Sequence, residues 1–526
     1  MVNDVTIDMA ILGTLLKKGM SLRESMEQQY TSPVDLQKQE LRKLLIHCQD
    51  TRIGEKYGFQ KLLREFKKKD HEAFYQAFSS LIPVYDYDRM YEAWWHMAKE
   101  GRKNICWPGT IRYFALSSGT AGASSKYIPV TREMLKSIRK TSVRQMLSLS
   151  RFHLPPTLFT KGILMLGGST DLRNNGQYFE GDLSGITTSQ IPFWFQHFYK
   201  PGKRISKTQW DTKLDEITLK AKDWDIGIIV GVPAWLQLLM EKIVAHYQVR
   251  TIHDVWPNLS VFVHGGVPFE PYRKGFDRLL ARELVYAETY LASEGFIAFQ
   301  AFPDRKSMRL VLNNGIFYEF IPFNAQNFDE EGNLREGPVT LKIDEVEENV
   351  EYALLITTNA GAWRYLIGDV IRFVSVEDSE IIITGRTKHF LSLCGEHLSL
   401  DNMNKAIELV EREMNIDIRE FTVIGESAAD VFSHYWYLGC DDEVDSGLLR
   451  SRLDAFLCQL NDDYAVERKH ALKGMQVQVL PKQFFYDWME QKGKIGAQNK
   501  FPRVLKKEKA QDWKEFVQEK TRAEAR

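Results

Sequence analysis

Apolar residues recur at helical spacing through the first hundred positions of the chain. One face of a helix over residues 36–50 collects five apolar side chains, those of Leu36, Leu41, Leu44, Leu45 and Cys48. A second, shorter helix is predicted over 91–99. The apolar run 9–16 follows two aspartates instead of a basic segment, so it indicates an amphipathic helix and not a secretion signal. The pattern predicts a helical N-terminal layer.

Between residues 110 and 300, short continuous apolar runs alternate with helical segments. The runs predicted as strands are 162–166, 226–230, 259–264 and 284–290. Continuous β-branched strands joined by helices are typical of a sheet covered on both faces, so we expect an α/β core. The second run leads through Gly231-Val-Pro233 into a helix over 234–247, with proline at the helix start.

After residue 305, the alternation of apolar and polar residues predicts antiparallel strands. The clearest signal is a hairpin in which 308–312 turns at Asn313-Asn-Gly315 into 316–321. Further strands are predicted over 352–358, 370–376 and 380–384. We expect these strands to form a β subdomain attached to the α/β core.

A smaller α+β unit is predicted from about residue 390 onward. Its predicted elements are helices over 401–414 and 446–460 and strands over 421–424, 435–439 and 475–480. A mixed-charge helix over 506–526 follows, and we expect it to be a solvated face. The predicted fold class is therefore α/β, with an α+β C-terminus.

The size and charge of the chain exclude several classes of function. Its 526 residues exceed what one hydrophobic core organises, and the length favours roughly three to four modules. Lys plus Arg number 69 against 70 for Asp plus Glu, so the net charge of -1 provides no field to attract nucleic acid or an anionic membrane. Five scattered cysteines without a Cys-x-x-Cys pair indicate a reducing, cytoplasmic compartment. No apolar window approaches the roughly 18 residues of a membrane-spanning helix.

A loop rich in glycine and hydroxyl residues follows a predicted strand over 111–116. It contains Ser117, Ser118, Gly119, Thr120 and Gly122, and Lys126 precedes a helix that we expect to begin at Pro129. Glycines let backbone N–H groups turn toward one point, and the hydroxyls and the ammonium add donors, which together suit a polyphosphate. The spacing is neither a Walker A motif nor a dinucleotide fingerprint. A flexible surface turn is the alternative for this loop taken alone.

Two later stretches could meet this loop at the ends of strands, where open α/β sheets bind their ligands. Gly265 and Gly266 follow a strand and permit the close approach of a flat ring. Tyr290, the last residue of the strand predicted over 284–290, offers an aromatic face for a base, and Ser293 offers a hydroxyl. Glu294 is a hard oxygen ligand of the kind that Mg²⁺ uses beside phosphates.

A third stretch ends in Asp369, which follows a glycine and is suited to accept two hydrogen bonds from a ribose diol. Each assignment has an ordinary structural alternative. A Gly-Gly pair is usually a turn, Glu294 could be the first acid of a helix, and Arg364 could be a structural ion-pair partner.

In their joint order, these motifs resemble those of the acyl-adenylate-forming superfamily, and most closely the auxin-responsive acyl-acid amido synthetases, a family best known from plants. The matching segments are Ser117-Ser-Gly-Thr-Ala-Gly122, Tyr290-Leu-Ala-Ser-Glu294, Trp363-Arg-Tyr-Leu-Ile-Gly-Asp369, Gln498-Asn-Lys-Phe-Pro-Arg503 and Thr51-Arg-Ile-Gly-Glu-Lys-Tyr-Gly-Phe59. Trp363 and Asn499 stand where the family usually has tyrosine, and Ala121 stands where a hydroxyl residue is usual. The missing hydroxyl implies weaker nucleotide binding. We expect a member of the family from outside the plants.

The resemblance implies an adenylate-forming enzyme fold and a reaction in two steps. A carboxylic acid would react with ATP to give an acyl-AMP and pyrophosphate, and an amine or amino acid would then take the acyl group and release AMP. Because a carboxylate is already ionised near neutral pH, the first step needs charge neutralisation more than a strong base. The expected cofactors are ATP and Mg²⁺.

The resemblance also implies a role for each site residue. The phosphates would be held by Ser117, Ser118, Gly119 and Thr120, and the adenine would be framed by Gly265, Gly266 and Tyr290, with Ser293 adding a hydroxyl contact. Asp369 would hold the ribose and Glu294 would hold Mg²⁺. Lys500 would place its ammonium on the α-phosphate or the attacking carboxylate. The expected catalytic residues are Lys500, Glu294 and Ser118.

Use of Lys500 implies a moving domain, because this lysine lies in the small C-terminal unit whereas the nucleotide motifs end at residue 369. We expect an ATP- and acid-binding domain over 1–386 and a mobile domain over 387–526, with the hinge at 385–389.

The site of the acid is a separate question. The acid would lie near the aromatic run 192–199 and Trp235, with Arg139 or Arg144 available to a second acidic group. An aromatic core is the alternative. His264 and Cys394 are expected to be structural.

Two other classes of function stay open. An acyl-CoA ligase would share the first step, although the short C-terminal domain and the closer motif match disfavour it. A non-catalytic adenylate-binding or interaction protein would be expected to lack Lys500, Glu294 or Asp369, and all three are present. The expected partners are a small-molecule carboxylic acid and an amine or amino acid, with no nucleic acid or membrane partner and a monomer as the default. The motifs identify neither the acid nor the amine.

Overall fold

Helices form the first layer of the protein, as the apolar spacing predicts. The computed structural model describes residues 18–19, 32–66, 71–117, 126–191, 196–208, 210–266, 269, 272–329, 332–387, 391, 393, 398, 400–428, 431–461, 464–465, 468, 472–493, 501–505 and 507–524. The apolar run 9–16 and Cys394 lie outside these residues. A helical turn of π type (Tyr91–Trp95) continues into a helix at His96–Lys99, so the helix predicted over 91–99 is confirmed.

The helices are α1 (Pro33–Cys48), α2 (Arg52–Lys56), α3 (Phe59–Phe66), α4 (His71–Leu81), α5 (Tyr87–Met90), α6 (His96–Lys99), α7 (Arg132–Ser148), α8 (Leu183–Ser189), α9 (Lys203–Ser206), α10 (Trp210–Lys220), α11 (Pro233–Tyr247), α12 (Arg273–Leu279), α13 (Leu400–Met414), α14 (Ser446–Leu460), α15 (Lys482–Gln491) and α16 (Lys507–Glu524). None of these helices, nor any other in the described ranges, is both long enough and apolar enough to cross a membrane.

The strands are β1 (Tyr113–Ser117), β2 (Lys126–Val130), β3 (Gly162–Leu166), β4 (Arg173–Asn174), β5 (Phe179–Gly181), β6 (Tyr199–Lys200), β7 (Ile226–Gly231), β8 (Val261–Gly265), β9 (Val285–Ala292), β10 (Gly295–Phe299), β11 (Met308–Leu310), β12 (Ile316–Pro322), β13 (Glu351–Thr358), β14 (Tyr365–Ser375), β15 (Glu380–Arg386), β16 (Ile418–Ala428), β17 (Val431–Cys440), β18 (Leu472–Leu480) and β19 (Val504–Leu505). Among the described residues they form three sheets, ordered β2-β1-β5-β4, β12-β13-β14-β15-β11-β10-β9-β8-β7-β3-β6 and β18-β17-β16-β19.

The predicted α/β core is confirmed in the large sheet. Strands β3, β7, β8 and β9 run parallel to one another, whereas β9 pairs with β10 on its other side as an antiparallel strand. On one face Phe262 of β8 packs with Leu236 of α11 and Phe276 of α12. On the other face Val263 packs in a second buried cluster with Phe152. Both faces of these strands are thus buried, which explains their continuous apolar sequence.

The hairpin predicted over 308–321 is wrong, because β11 and β12 do not pair. β11 lies between β10 and β15, whereas β12 pairs with β13. Buried Gln37 of α1 donates to the carbonyl oxygens of Leu312 at 2.8 Å and Ile316 at 3.0 Å. Its side-chain oxygen accepts from the N–H of Tyr318 at 2.7 Å. Helix α1, which is distant in the sequence, therefore provides the hydrogen-bond partners of this turn. The strands that were expected to form an attached β subdomain are instead part of the large sheet.

The helix expected to begin at Pro129 is also wrong. Pro129 lies in β2 opposite Phe114 of β1, and α7 begins later, at Arg132. β2 is an edge strand, where a proline removes no ladder hydrogen bond that the sheet needs. Thr131 is the N-cap residue of α7, because its hydroxyl accepts a hydrogen bond from the N–H of Met134 at 3.0 Å.

The C-terminal sheet carries helices on both faces. Helices α13 and α14 bury one face and α15 and α16 bury the other. The helices predicted over 401–414 and 446–460 are confirmed, whereas α15 and β19 were not predicted. The expectation that the last helix is a solvated face is wrong for one side of α16, where Ala510, Trp513 and Val517 are buried. Their spacing of three and four positions is an apolar stripe inside a mixed-charge sequence.

Candidate functional site

A bulge in β14 places Asp369. Against β13, the three residues 367–369 lie opposite Leu354 alone. Gly368 in this bulge has φ +88°, a left-handed conformation that favours glycine. Bulges re-aim side chains at the rims of sheets. Here the strand pairs with β15 so that Asp369 lies opposite Arg386.

Asp369 is held by side chains from two other strands. The hydroxyl of Tyr290 on β9 donates to Asp369 Oδ2, and Arg386 Nε lies 3.0 Å from Oδ1. The same guanidinium donates to the carbonyl oxygen of Ile367 at 3.0 Å. Burial, and after it the charge of Asp369, raises the pKa of Tyr290 well above its ordinary value, so the phenol remains a donor.

The contact between Tyr290 and Asp369 requires a curled sheet. β9 and β14 stand four places apart in the strand order. In a flat sheet that separation is roughly 19 Å, far beyond a hydrogen bond. The strands between them include β11, which has only three residues. The curl brings the second and third sequence motifs into direct contact.

Glu294 occupies the tight turn between β9 and β10 together with Ser293. The alternative that Glu294 begins a helix is therefore wrong, whereas Tyr290, the last residue of the strand predicted over 284–290, lies within β9. Glu294 is only 7% exposed. Burial raises the pKa of this carboxyl to about 7, although the nearby cations Lys126 and Arg386 act in the opposite direction. A bound cation would stabilise the ionised form of such a group.

Tyr365 and Lys126 lie around this carboxyl. Burial, followed by the charge and hydrogen bonding of Glu294, raises the pKa of Tyr365 well above its ordinary value. Lys126 begins β2 opposite Ser117, the last residue of β1. The lysine thus stands at the base of the predicted phosphate loop and close enough to Glu294 to lower its pKa.

The loop itself lies outside the described residues. β1 and β2 pair as antiparallel strands up to Ser117 and Lys126, and residues 118–125 connect them. The phosphate-binding roles of Ser118, Gly119 and Thr120 stay predictions.

Gly265 and Gly266 stand at the carboxyl end of β8, beside Tyr290. Gly265 is the register partner of Thr289 on β9, and a Cβ added at Gly265 would lie 2.2 Å from the Thr289 carbonyl oxygen. Gly266 has φ +84°. Both positions therefore need glycine for the backbone itself, and the absence of side chains leaves the strand end open beside Tyr290.

Lys500 lies outside the described residues, but the segment after it is anchored. Arg503 Nη1 lies 2.5 Å from Glu420 Oε2, and Glu420 also accepts from the hydroxyl of Tyr272 at 3.3 Å. Tyr272 precedes α12 of the large domain, whereas Glu420 lies on β16. The C-terminal unit thus contacts the large domain through Glu420, the residue that also binds Arg503.

Two residues of the third motif are structural. Trp363 is fully buried, and its indole N–H donates to the Cys106 carbonyl oxygen at 3.2 Å. Arg364 lies in a buried ion pair with Glu319, with Nη2 at 2.9 Å from Oε1, and Arg364 Nη1 donates to the Ile82 carbonyl oxygen at 2.7 Å. The ion-pair alternative for Arg364 is therefore the correct one.

The residues proposed for the acid pocket have structural contacts. Arg139 donates to the Gln190 carbonyl oxygen at 3.0 Å, and Arg144 donates to Asn313 Oδ1 at 2.5 Å. Trp235 belongs to the buried cluster under α11 and α12. Residues 192–195 lie outside the described residues, so the pocket stays a prediction. His264 is buried among aromatic rings, in agreement with a structural role.

The sequence reasoning missed Arg386 as a site residue. Gly385 and Arg386 were expected to begin the hinge, but both lie in β15, paired with Val370 and Asp369. The first two residues of the expected hinge segment thus belong to a strand, and the hinge itself stays a prediction. An arginine shortly after the last predicted strand of the large domain could have suggested a charged residue at the site. Only the sheet register shows that this arginine faces Asp369.

The described residues fit a magnesium site that is completed by phosphates. They hold no group of three or more His, Cys, Asp or Glu side chains arranged for a metal ion. Mg²⁺ beside nucleotides is usually bound by one or two carboxylates, with phosphate oxygens and water as its other ligands. The single buried carboxylate of Glu294 fits this arrangement.

Solved structures share the fold. The GH3.15 acyl acid amido synthetase superposes with a TM-score of 0.73 at 17% identity, over 95% of this chain and 96% of that one. The 2-hydroxyisobutyryl-CoA ligase, solved in the postadenylation state with R3-HIB-AMP, gives 0.56 at 10% identity, over 92% and 91%. The expected fold of adenylate-forming enzymes is therefore confirmed.

Sequence comparisons identify the family. The indole-3-acetic acid-amido synthetase GH3.4 of Arabidopsis thaliana is 27% identical over 199 residues, 35% of this chain and 32% of that protein. The matched part thus spans about a third of the length of this curated relative. Family models match over residues 22–214 (GH3 family N-terminal domain), 309–382 (central domain) and 401–509 (C-terminal domain). Since these matches cover more than half of the chain, the protein belongs to the GH3 family, in agreement with the resemblance of its motifs.

Proposed function

We propose that this chain is an ATP-dependent acyl-acid amido synthetase. It would activate a carboxylic acid as an acyl-AMP with release of pyrophosphate, then transfer the acyl group to an amine or amino acid with release of AMP. The observation that carries the proposal is the contact of Tyr290 with Asp369, which joins two motifs beside buried Glu294. Family membership and a fold shared with a ligase solved with an acyl-AMP support it.

The nucleoside would bind along the carboxyl ends of β8 and β9. Gly265 and Gly266 leave room for the adenine beside Tyr290, and Asp369 would accept hydrogen bonds from the ribose diol. Because Arg386 and Tyr290 already fix the carboxylate of Asp369, little of its freedom would be lost on binding. Ser293 would add a hydroxyl at the turn.

The phosphates would lie between the loop over 117–120 and Glu294. Lys126 at the base of this loop would add positive charge. Glu294 would hold Mg²⁺, which when bound supplies positive charge to phosphate oxygens. The Lys500 ammonium would neutralise charge where the attacking carboxylate approaches the α-phosphorus, and Ser118 would donate to the phosphate. We assign catalysis to Lys500, Glu294 and Ser118.

Lys500 would reach this site through a rotation of the C-terminal unit. We propose a large domain over 1–386 and a mobile domain over 387–526, with the hinge directly after Arg386. The bond between Tyr272 and Glu420 crosses between the two units, so it would open and close with this motion. A reducing, cytoplasmic compartment fits Cys48, Cys106 and Cys440, which form no disulfide.

The test is a screen for acid-dependent adenylation. The protein is incubated with ATP, Mg²⁺ and a panel of aryl and alkyl carboxylates, and acyl-AMP is trapped with hydroxylamine as the hydroxamate. An active acid is then offered with amino acids or with coenzyme A. Amide formation is the expected result. Absence of hydroxamate with every acid would favour the binding-protein alternative.

An acyl-CoA ligase is the second candidate, because a ligase of that class shares the fold with a TM-score of 0.56. It would form the same acyl-AMP but pass the acyl group to a thiol. Consumption of coenzyme A without consumption of amines in the screen would establish it instead.

A further inference from the structure

A short segment before α5 lies against the strand of the third motif. The N–H of Tyr85 donates to the Arg364 carbonyl oxygen at 2.9 Å, and the N–H of Leu366 donates to the Tyr85 carbonyl oxygen at 2.7 Å. Tyr85 thereby forms a parallel bridge with Tyr365 at the start of β14. The segment is attached to β14 through its backbone, two residues before Tyr87.

Tyr87 reaches the strand that follows the phosphate loop. Its hydroxyl accepts from the N–H of Tyr127 at 2.8 Å. Because β2 is an edge strand and this N–H bonds a side chain instead of β1, Tyr87 satisfies a backbone donor at the sheet edge. The ammonium of Lys126 lies 5.3 Å from the centre of the Tyr87 ring, within the range of a cation–π contact.

The Tyr87 ring is itself fixed by aromatic packing. It stacks on Tyr91 with ring centres 5.7 Å apart and meets the fully buried Trp95 edge-on at 6.1 Å. Trp95 packs in turn against Tyr365 at 5.3 Å. The rings of Tyr87 and Trp95 thus form a continuous packed connection between Lys126 and Tyr365, and Tyr365 is a neighbour of Glu294.

We propose that Tyr87 is a positioning residue for the adenylation step. Its ring and hydroxyl hold β2 and Lys126 in a fixed place relative to β14, so that the phosphates of ATP meet a cation that is already aligned with Glu294. A mobile lysine side chain would lose the rotational freedom of several bonds when it binds phosphate. The contacts of Tyr87 with Lys126 and Tyr127 remove most of that entropic cost before ATP binds. The inference rests on the proposed function for the identity of the ligand.

The test compares Tyr87 with a tyrosine of the same kind elsewhere. Tyr247, at the end of α11, donates its hydroxyl to the Leu219 carbonyl oxygen at 2.9 Å, and the Lys222 ammonium lies 4.4 Å from its ring centre. Since α11 starts at the carboxyl edge of the sheet, its end lies about 22 Å away from that edge. Y87F and Y87L are made beside Y247F and Y247L in the full chain.

The first readout is amide hydrogen exchange at Tyr127 without nucleotide. We expect exchange at this amide to rise in both Y87F and Y87L and to stay unchanged in the Tyr247 variants. The second is ATP-dependent pyrophosphate exchange with an active acid. We expect the KM for ATP to rise about fivefold to tenfold in Y87L and less in Y87F, which keeps the ring. Melting temperatures identify variants that fail to fold.

The outcomes distinguish the positioning role of Tyr87 from the proposed function. Parent-like exchange at Tyr127 in Y87F, or a parent-like KM for ATP in folded Y87L, overturns the role of Tyr87 and leaves the proposed function intact. Equal losses in Y87L and Y247L also overturn it, because they show a general effect on packing. A parent protein that neither binds ATP in a thermal-shift titration nor exchanges pyrophosphate overturns the proposed function and this inference together.

Discussion

Arg386 and Asp369 face each other across neighbouring strands, with Nε and Oδ1 3.0 Å apart. They are register partners of β14 and β15, so their distance is set by the backbone of the sheet. The second oxygen of Asp369 accepts from Tyr290. A carboxylate has about four acceptor sites, and this arrangement leaves acceptor capacity for a diol.

Replacing Asp369 by alanine should weaken ATP binding while the protein still folds. Charge-assisted hydrogen bonds contribute roughly 1.5 to 3 kcal/mol, so the KM for ATP in pyrophosphate exchange should rise about tenfold to a hundredfold. Asp378→Ala is the matched control, because Asp378 pairs with Arg305 at 2.6 Å on the surface and should leave the KM unchanged. A folded Asp369→Ala protein with the parental KM would contradict the ribose assignment.

Replacing Glu294 by glutamine keeps the shape of the side chain and removes its charge. Activity should fall, and the remaining activity should need more Mg²⁺, because a hard cation binds a carboxylate better than an amide. The measurement is a Mg²⁺ titration of pyrophosphate exchange. Exposed Glu283, which precedes β9, provides the control as Glu283→Gln. Superimposable titrations of Glu294→Gln and the parent would make Glu294 a structural acid.

Replacing Lys500 by alanine should separate the two half-reactions. Formation of acyl-AMP should be lost, because the carboxylate and the α-phosphate then meet without the ammonium between them. Aminolysis of a chemically prepared acyl-AMP should largely persist. Lys492→Ala removes another lysine of the C-terminal unit, one that pairs with Asp512 at 2.7 Å, and should affect neither step. Loss of both steps in a folded Lys500→Ala protein would contradict the assignment.

His264 should make stability depend on pH. The side chain is 6% exposed, and burial, with a smaller contribution from Arg273, lowers its pKa from 6.5 to about 4. Between these values the unfolded chain binds more protons at this site than the folded protein. The stabilisation is therefore full above pH 6.5 and falls by about 3 kcal/mol as the pH drops to 4.

His264→Gln, which cannot be protonated, should reduce this loss. The free energy of unfolding is measured by urea titration at pH 7 and pH 4.5. His153, an exposed histidine, provides the control as His153→Gln. If the parent and His264→Gln lose equal stability between the two pH values, the buried histidine does not account for the acid sensitivity.

An element could be predicted from the sequence where its own residues determine its structure, and not where contacts between residues distant in the chain determine it. β7 and β8 were predictable because both faces of each strand are buried, and each strand is therefore a continuous run of apolar residues. The turn at 313–315 was not, because its strands pair with other strands of the sheet and its flanking backbone groups bond Gln37, almost three hundred positions away in the chain. Arg386 was missed for a similar reason, since its partner Asp369 is known only from the register of two strands.

The curl of the large sheet also bears on how this protein would be assembled in a cell. Tyr290 and Asp369 are 79 positions apart in the chain, and they touch only when every strand between β9 and β14 is in place. A nascent chain or a proteolytic fragment that lacks β14 would therefore lack the contact on which the proposed nucleotide site depends, however well its parallel strands are formed. Retention on an immobilised nucleotide would thus select completed molecules, and ATP in the medium would protect them from proteases by mass action.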